Sequence, residues 1–352
     1  MKNNVLFRRD TTTVSENKPS LSEHSPFISI CMPTYNRAKY IKEAIESAID
    51  QDYNNFEIIV LDDGSTDNTE EIVKGIGNYS QIRYIKKDNE GIPITRNKLI
   101  DLAKGDYILW LDSDDKLFPN VLKVYAEYTE RFKDVSVFYG NLKPFGNIPY
   151  SLKEMIYVDV YRRNHELLAH FVYGNVLPNP GSMVKKSVYD YFGNYNIEFT
   201  RAQDTEFWSR ILDKVFFKNI NTFSVYYRFH ENNISGNVFS GKCDLSFNSR
   251  ILTAMLKRYP LERLFPQFQW KLHQQAMADA YLEIGWIYGK WGDIDRSMDY
   301  YQKSINSLSI DQSPSSSYLD KENLKQAIKD EKLLDKHVIM INKNLEKYGL
   351  SG

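Results

Sequence analysis

The sequence predicts an α/β protein with a doubly wound, mainly parallel sheet, followed by a smaller all-helical region. Three observations carry this. Between residues 27 and 111, short apolar runs of strand length alternate with segments of helical spacing. Three of those runs end in polar or acidic clusters, at residues 34–36, 62–67 and 112–115. From about residue 245 the pattern turns wholly helical. The expected organisation is a flexible leader at 1–25, an α/β domain at 26–240 and a helical domain at 245–352.

Residues 1–25 read as a loosely ordered leader, with one short strand at Val5, Leu6 and Phe7. Residues 27–32 form a buried strand ended by Pro33, and Thr34, Tyr35 and Asn36 form the loop after it. Ala38, Ile41, Ala44, Ile45 and Ala48 recur at helical spacing. A second strand, 56–61, runs into Asp62, Asp63, Gly64, Ser65, Thr66 and Asp67. The next helix is capped near 66–68 and carries Glu70 and Glu71 in its first turn, where carboxylates suit the positive end of the helix. A third strand covers 82–85, and a helix over 93–103 is closed by Gly105. Residues 108–111 are too short an apolar run for an ordinary helix and read as a buried strand, which stops at Asp112, Asp114 and Asp115.

A helix over 121–132 and a strand over 135–139 follow, after which regularity weakens through 140–185. Residues 175–181 read as a loop, and 204–212 as a helix with Phe207, Trp208, Ile211 and Leu212 on its apolar face. One or two strands within 216–229 deliver Arg228 and His230 to a loop at Glu231, Asn232 and Asn233. Residues 276–290 and 294–308 form a helical hairpin turning at Gly292 and Asp293, similar to one tetratricopeptide repeat. A single repeat cannot bury its own face, so it needs helices at 246–272 and 319–348, or another subunit. Residues 313–317 form a short joint.

Composition narrows the function. The formal net charge of −1, with acids and bases interspersed, excludes a nucleic-acid binder that relies on a broad basic surface. Cys31 and Cys243 are the only cysteines and lie far apart, so no disulfide framework or zinc motif is indicated and a reducing compartment fits. Residues 1–26 lack the apolar core of a signal peptide, and no stretch reaches the roughly 18 apolar residues of a membrane span. The expectation is a cytoplasmic protein, with peripheral contact at the inner membrane face left open.

Parallel strands bring their carboxyl ends to one edge, where open α/β sheets bind ligands, so one crevice would collect about six carboxylates. Clustered acids repel unless a cation neutralises them, and hard oxygen ligands suit Mg²⁺ or Mn²⁺ shared with substrate phosphates. In isolation, Asp112, Asp114 and Asp115 could equally form an Asp-rich turn capping a helix that starts near Pro119. The phasing of three clusters to three strand ends favours the functional reading.

Six motifs, in order, resemble the inverting glycosyltransferases of family 2, which have the GT-A nucleotide-sugar fold with a doubly wound mixed sheet. They are Pro33, Thr34, Tyr35 and Asn36; residues 62–67; residues 91–97; Asp112, Ser113, Asp114 and Asp115; Gln203 and Asp204; and Tyr227, Arg228, Phe229 and His230. The resemblance spans roughly residues 27–237 and leaves the helical tail outside it. It implies transfer of a hexose or N-acetylhexosamine from a UDP-sugar to an acceptor hydroxyl, assisted by Mg²⁺ or Mn²⁺. Pro33, Thr34, Tyr35 and Asn36 would wall the base and meet the ribose, and Asp63 would accept the imide N–H of uracil. Arg96 and Arg228 would reach the diphosphate as planar cations. Asp112 would meet the ribose or, through water, the metal, and Ser113 would belong to the substrate-binding set. Asp114 would ligate the metal, with His230 as a metal ligand or a phosphate donor. Asp204 would be the base that takes the acceptor's proton. The family usually has Glu just before that Asp; Gln203 stands here, and Glu206 is a reserve candidate.

The acceptor implied by the resemblance is a glycan or a lipid-linked saccharide, or else a peptide Ser or Cys gripped by the helical domain, which could also support a homodimer. A non-catalytic nucleotide-sugar-binding scaffold is the alternative from another class. A nucleotidyltransferase would need a glycine-rich loop after the first strand, and residues 33–37 contain no glycine.

Overall fold

A computed structural model describes residues 25–77, 80–148, 155, 157, 164–230 and 246–307. The expected strand at Val5, the loop at Glu231, the joint at 313–317 and the helix at 319–348 lie outside the described residues. The described residues fall into two compact units, one within Pro19–Arg258 and one within Tyr259–Gly352.

The first unit opens with β1 (Ile28–Thr34), α1 (Ile41–Ile49), β2 (Phe56–Asp62), α2 (Thr69–Gly75), β3 (Ile82–Lys86), α3 (Ile92–Leu102) and β4 (Tyr107–Trp110). Every residue of β1, β2 and β4 is buried, as expected of strands covered on both faces. The helical spacing read from the sequence is the buried stripe of α1: Ile41, Ala44, Ile45 and Ala48. These four strands pair in parallel, with Thr34 beside Asp62 and Cys31 beside Trp110, so their carboxyl ends share one edge.

Then come β5 (Lys116–Leu117), α4 (Val121–Arg131), β6 (Val135–Gly146), α5 (Asn164–Phe171), β7 (Met183–Lys185), α6 (Lys186–Phe192), α7 (Gln203–Ile211), β8 (Phe216–Phe229) and α8 (Ser246–Arg258). The described strands form one sheet in the order β3-β2-β1-β4-β7-β6-β8-β5. It is mixed: β7 runs antiparallel to β4 and β6, and β5 antiparallel to β8.

Several differences from the sequence reading have one cause. The strand expected over 135–139 continues to Gly146, because β6 pairs in parallel along β8 with local register shifts. The weakly patterned 140–185 stretch contains the three-residue β7, and β5 is two residues long. Elements this short carry no readable period, and pairing partners create them. β5 matters most for the site. Lys116 pairs with Tyr226 and Leu117 with Val225, which lays the end of β8 against the acidic turn.

The second unit holds α9 (Leu261–Leu264), α10 (His273–Lys290) and α11 (Ile294–Ser307). The last two make the expected hairpin, with Gly285 and Gly289 facing Ser297 and Tyr301. Among the described residues, no helix is long and apolar enough to cross a membrane.

Candidate active site

Two loops at the strand ends are zipped together before any ligand is considered. Asn36 donates its N–H to the Ser65 hydroxyl at 2.8 Å, and its side-chain oxygen accepts from the Thr66 N–H at 2.8 Å. Asp67 accepts from the Ala38 N–H at 3.0 Å and from the Thr69 N–H at 3.1 Å. Asp62, fully buried, accepts from the Ser65 N–H at 2.8 Å and the Tyr84 hydroxyl at 2.6 Å. Buried carboxylates of this kind satisfy amides that a tight loop would otherwise leave unpaired. Pro33 is buried inside β1. Thr34 presents a buried hydroxyl with no hydrogen-bond partner among the described residues, and Tyr35 stands exposed at the rim.

Asp63 lies under the turn from β3 to α3. Its two oxygens accept from the Glu90 and Gly91 amides, each at 2.9 Å, and the Lys87 ammonium pairs with it. A base N–H reaching this carboxylate would join or displace those donors.

The acidic turn after β4 is held from three sides. On the α3 side, the Arg96 guanidinium donates to Asp112 at 2.9 Å. It sits against the rings of Trp110 and Tyr195, 5.5 and 5.9 Å from their centroids, the two rings meeting edge-on beside it. The Asn179 amide, turned oxygen-inward, accepts from it at 3.0 and 3.1 Å. Arg96 is thus a nearly buried cation. Burial opposes its charge, but Asp112, Tyr195 and Asp204 hold its pKa above the ordinary value. For Asp112, burial outweighs the Arg96 charge and the carboxyl is pushed up.

From the β1–α1 loop, Arg37 Nε reaches Asp114 Oδ2 at 3.2 Å. From β8, His230 Nε2 meets the same oxygen at 3.0 Å. Burial raises the Asp114 pKa, yet the His230 hydrogen bond and the Arg37 charge win and hold it below the usual carboxylate range. The neighbouring Asp115 is pushed well up by burial and by the charges of Asp114 and Asp112.

Arg228 grips the turn twice: its N–H donates to Asp115 Oδ1 at 2.8 Å, and Nε donates to the Asp114 carbonyl at 2.7 Å. Its outer nitrogen pairs with Glu43 at 3.2 Å. Ser113 is buried within the turn.

Asp204 occupies the first turn of α7, with Ala202 at the cap position, so it is not the helix N-cap. Its charge bears on Arg96, Asp112, Tyr195 and Tyr157, so it lies within electrostatic reach of the acidic turn. Glu206 pairs with Arg210 at 3.1 Å, and Arg210 in turn caps the carbonyls of Phe192 and Asn194. That carboxylate serves packing of α7 on α6. Arg37, Glu43, Asn179 and Tyr40 belong to the same rim and were not singled out by the sequence. The available signals were that Arg37 directly follows the Pro33-to-Asn36 motif, with Tyr40 three residues beyond it, and that Asn179 lies in the loop read over 175–181.

Among the described residues, no group of three His, Cys, Asp or Glu forms a preassembled metal cluster. Asp114 and His230 nonetheless bring an oxygen and a nitrogen donor to one point, 3.0 Å apart. The carboxylate oxygen is a hard donor of the kind Mg²⁺ and Mn²⁺ take beside phosphate oxygens and water, and the imidazole nitrogen is a second candidate donor.

Comparison with known proteins agrees with this geometry. The model of the family described as "Glycosyl transferase family 2" matches residues 29–185. An uncharacterized glycosyltransferase of Rickettsia typhi is 31% identical over 268 residues, 72% of this chain and 75% of the relative. One from Methanocaldococcus jannaschii is 33% identical over 214 residues, 58% of this chain and 71% of the relative. Staphylococcus aureus TarS 1–349, solved with UDP-GlcNAc, aligns with a TM-score of 0.53 at 19% identity, covering 84% of this chain and 95% of that one. The Pyrobaculum calidifontis mannosyltransferase PcManGT, solved with GDP-Man and Mn²⁺, aligns with a TM-score of 0.50 at 16% identity, covering 84% and 80%. These structures share the GT-A-like fold. The family match lies on the strands and loops that build the acidic rim, and a relative is matched over three quarters of its length; the chain is therefore a glycosyltransferase and belongs to glycosyltransferase family 2.

Proposed function

We propose that this glycosyltransferase moves a hexose or N-acetylhexosamine from a UDP-sugar to an acceptor hydroxyl with inversion, using Mg²⁺ or Mn²⁺ held by Asp114 and His230. The observation that carries the reading is the convergence of these two donors, from the β4 turn and the end of β8, beside the Arg96–Asp112 pair. A divalent ion there would supply charge to offset a departing diphosphate. The UDP-GlcNAc named for TarS and the Mn²⁺ named for PcManGT support a nucleotide sugar and a metal.

In this reading Thr34, Tyr35 and Asn36 wall the base, and the buried Thr34 hydroxyl has no hydrogen-bond partner among the described residues. Asp63 takes the uracil N–H. Arg96 is held by the Asp112 contact and against two rings, so its charge is pre-positioned for the phosphates and balances both Asp112 and Asp204. Asp204 accepts the acceptor's proton as its oxygen attacks the anomeric carbon. Arg228 reaches the diphosphate from β8 while bracing the acidic turn.

A saccharide acceptor is favoured by the names of partial relatives. A chondroitin synthase and a hyaluronan synthase of Pasteurella multocida are 36% identical over 127 residues, although this chain spans only 13% of each.

The test has two steps. Thermal shifts with UDP-Glc, UDP-GlcNAc, UDP-Gal and GDP-Man plus Mn²⁺ identify the donor. Asp204→Asn should then lower kcat about 10²–10⁴-fold while leaving donor binding intact. Full turnover in that variant would refute Asp204 as the base.

A further inference from the structure

We infer that Tyr40 is a positioning residue whose ring holds the His230 imidazole against the Asp114 carboxylate. The inference rests on the metal-dependent reading above.

Tyr40 directly precedes α1. Its ring stacks on the imidazole with centroids 4.8 Å apart and planes 26° apart. The Arg228 guanidinium lies 4.8 Å from the centroid of the same ring, and Phe145 backs that guanidinium at 4.2 Å. Tyr40 therefore touches both side chains that β8 brings to the acidic turn. One of them, Arg228, anchors the turn's backbone, and the other, His230, supplies Nε2 to Asp114 Oδ2. Three residues before Tyr40, Arg37 binds that same oxygen. The stretch from 37 to 40 thus contacts both proposed metal donors.

An imidazole is free to turn about its bond to Cβ unless something restrains it. A stacked ring removes that freedom and keeps Nε2 aimed at Asp114. Groups that orient a ligating imidazole act on affinity for the ion without touching it, and their loss costs about 10–100-fold. Leucine can fill the space left by Tyr40 but offers no flat face. Phenylalanine keeps the face and loses only the hydroxyl.

The experiment titrates Mn²⁺ into the full chain with UDP present, reading free Mn²⁺ by electron paramagnetic resonance. It compares wild type, Tyr40→Phe, Tyr40→Leu and His230→Ala, with melting temperature and near-UV circular dichroism measured in parallel. Tyr40→Leu should bind Mn²⁺ about tenfold more weakly at an unchanged melting temperature, with Tyr40→Phe matching wild type. If Tyr40→Leu binds Mn²⁺ normally while His230→Ala does not, the inference falls and the metal reading stands. If His230→Ala also binds normally, or wild type binds no Mn²⁺, both fall. A Tyr40→Leu loss accompanied by a lowered melting temperature and altered near-UV spectrum would mark a loosened fold and overturn the positioning role.

Discussion

Asp67 accepts hydrogen bonds from the Ala38 and Thr69 amides and from the Thr69 hydroxyl, so one carboxylate ties two loops together. Burial opposes its charge, but those donors prevail and hold its pKa below the ordinary 3.8. An acid depressed in the folded state contributes stability that is fully present above its unfolded pKa and is lost as pH falls through the folded one. Asp67→Asn is therefore expected to cost up to about 1 kcal/mol at neutral pH, a modest figure because the side chain is exposed. Denaturant melts should show that deficit shrinking as pH drops below 3.8. A deficit independent of pH would mean that the shape of the side chain matters and its charge does not. Asp62 and Asp67 face backbone amides of the loops, whereas Asp112 and Asp114 face cations from other elements.

At the scale of elements, the α10–α11 hairpin shows how a helix pair depends on small residues. A Cβ at Gly285 would come within 2.7 Å of the Tyr301 ring and 3.1 Å of the Ser297 carbonyl. A Cβ at Gly289 would meet the Ser297 hydroxyl at 3.1 Å and little else. Alanine gains about 1 kcal/mol over glycine in a helix interior. Forcing a methyl against a buried ring and a backbone carbonyl costs about 1–3 kcal/mol. Gly285→Ala should therefore lower the melting temperature of this unit, and Gly289→Ala should leave it unchanged or raise it. The same response at both positions would contradict the close approach at Gly285. In the sheet, β5 shows how little chain can set a site: two paired residues bring the end of β8 to the acidic turn.

For the molecule as a whole, the boundary of the sheet-bearing unit falls after α8. Helix α8 buries Ser249, Ile251, Leu252 and Met255, and Arg258 donates to the Ser209 carbonyl on α7 at 3.0 Å. Arg250 similarly reaches the Glu198 carbonyl at 3.3 Å. Since α7 carries Asp204, a fragment ending at Arg258 should fold cooperatively and bind a nucleotide sugar. One ending at residue 240 should lose cover on α7, melt lower and expose apolar surface to dye. Equal melting of the two fragments, read by circular dichroism, would show that α8 does not support α7. The long core under β1, β2 and β4 is present in both fragments, so the comparison isolates the helix.

Local chemistry was enough to identify the parallel half of the sheet, the acidic rim and the family, because strand burial and turn polarity are written in consecutive residues. Continuous apolar runs specified β1, β2 and β4, and the residues at their ends named Asp63, Asp112 and Asp114, whereas Asp204, on α7, was named by the family resemblance. Sequence could not show which carboxylates are already committed to loop amides, nor that Arg96 sits against Trp110 and Tyr195 with Asn179 on its fork. Nor could it show the Tyr40 stack or the grip of Arg228. His230 and Asp114 are 116 positions apart, and Arg228 and Asp115 are 113 apart. Such pairings depend on how β5, β6 and β8 register against one another, and register is an outcome of packing among distant segments that no local pattern encodes.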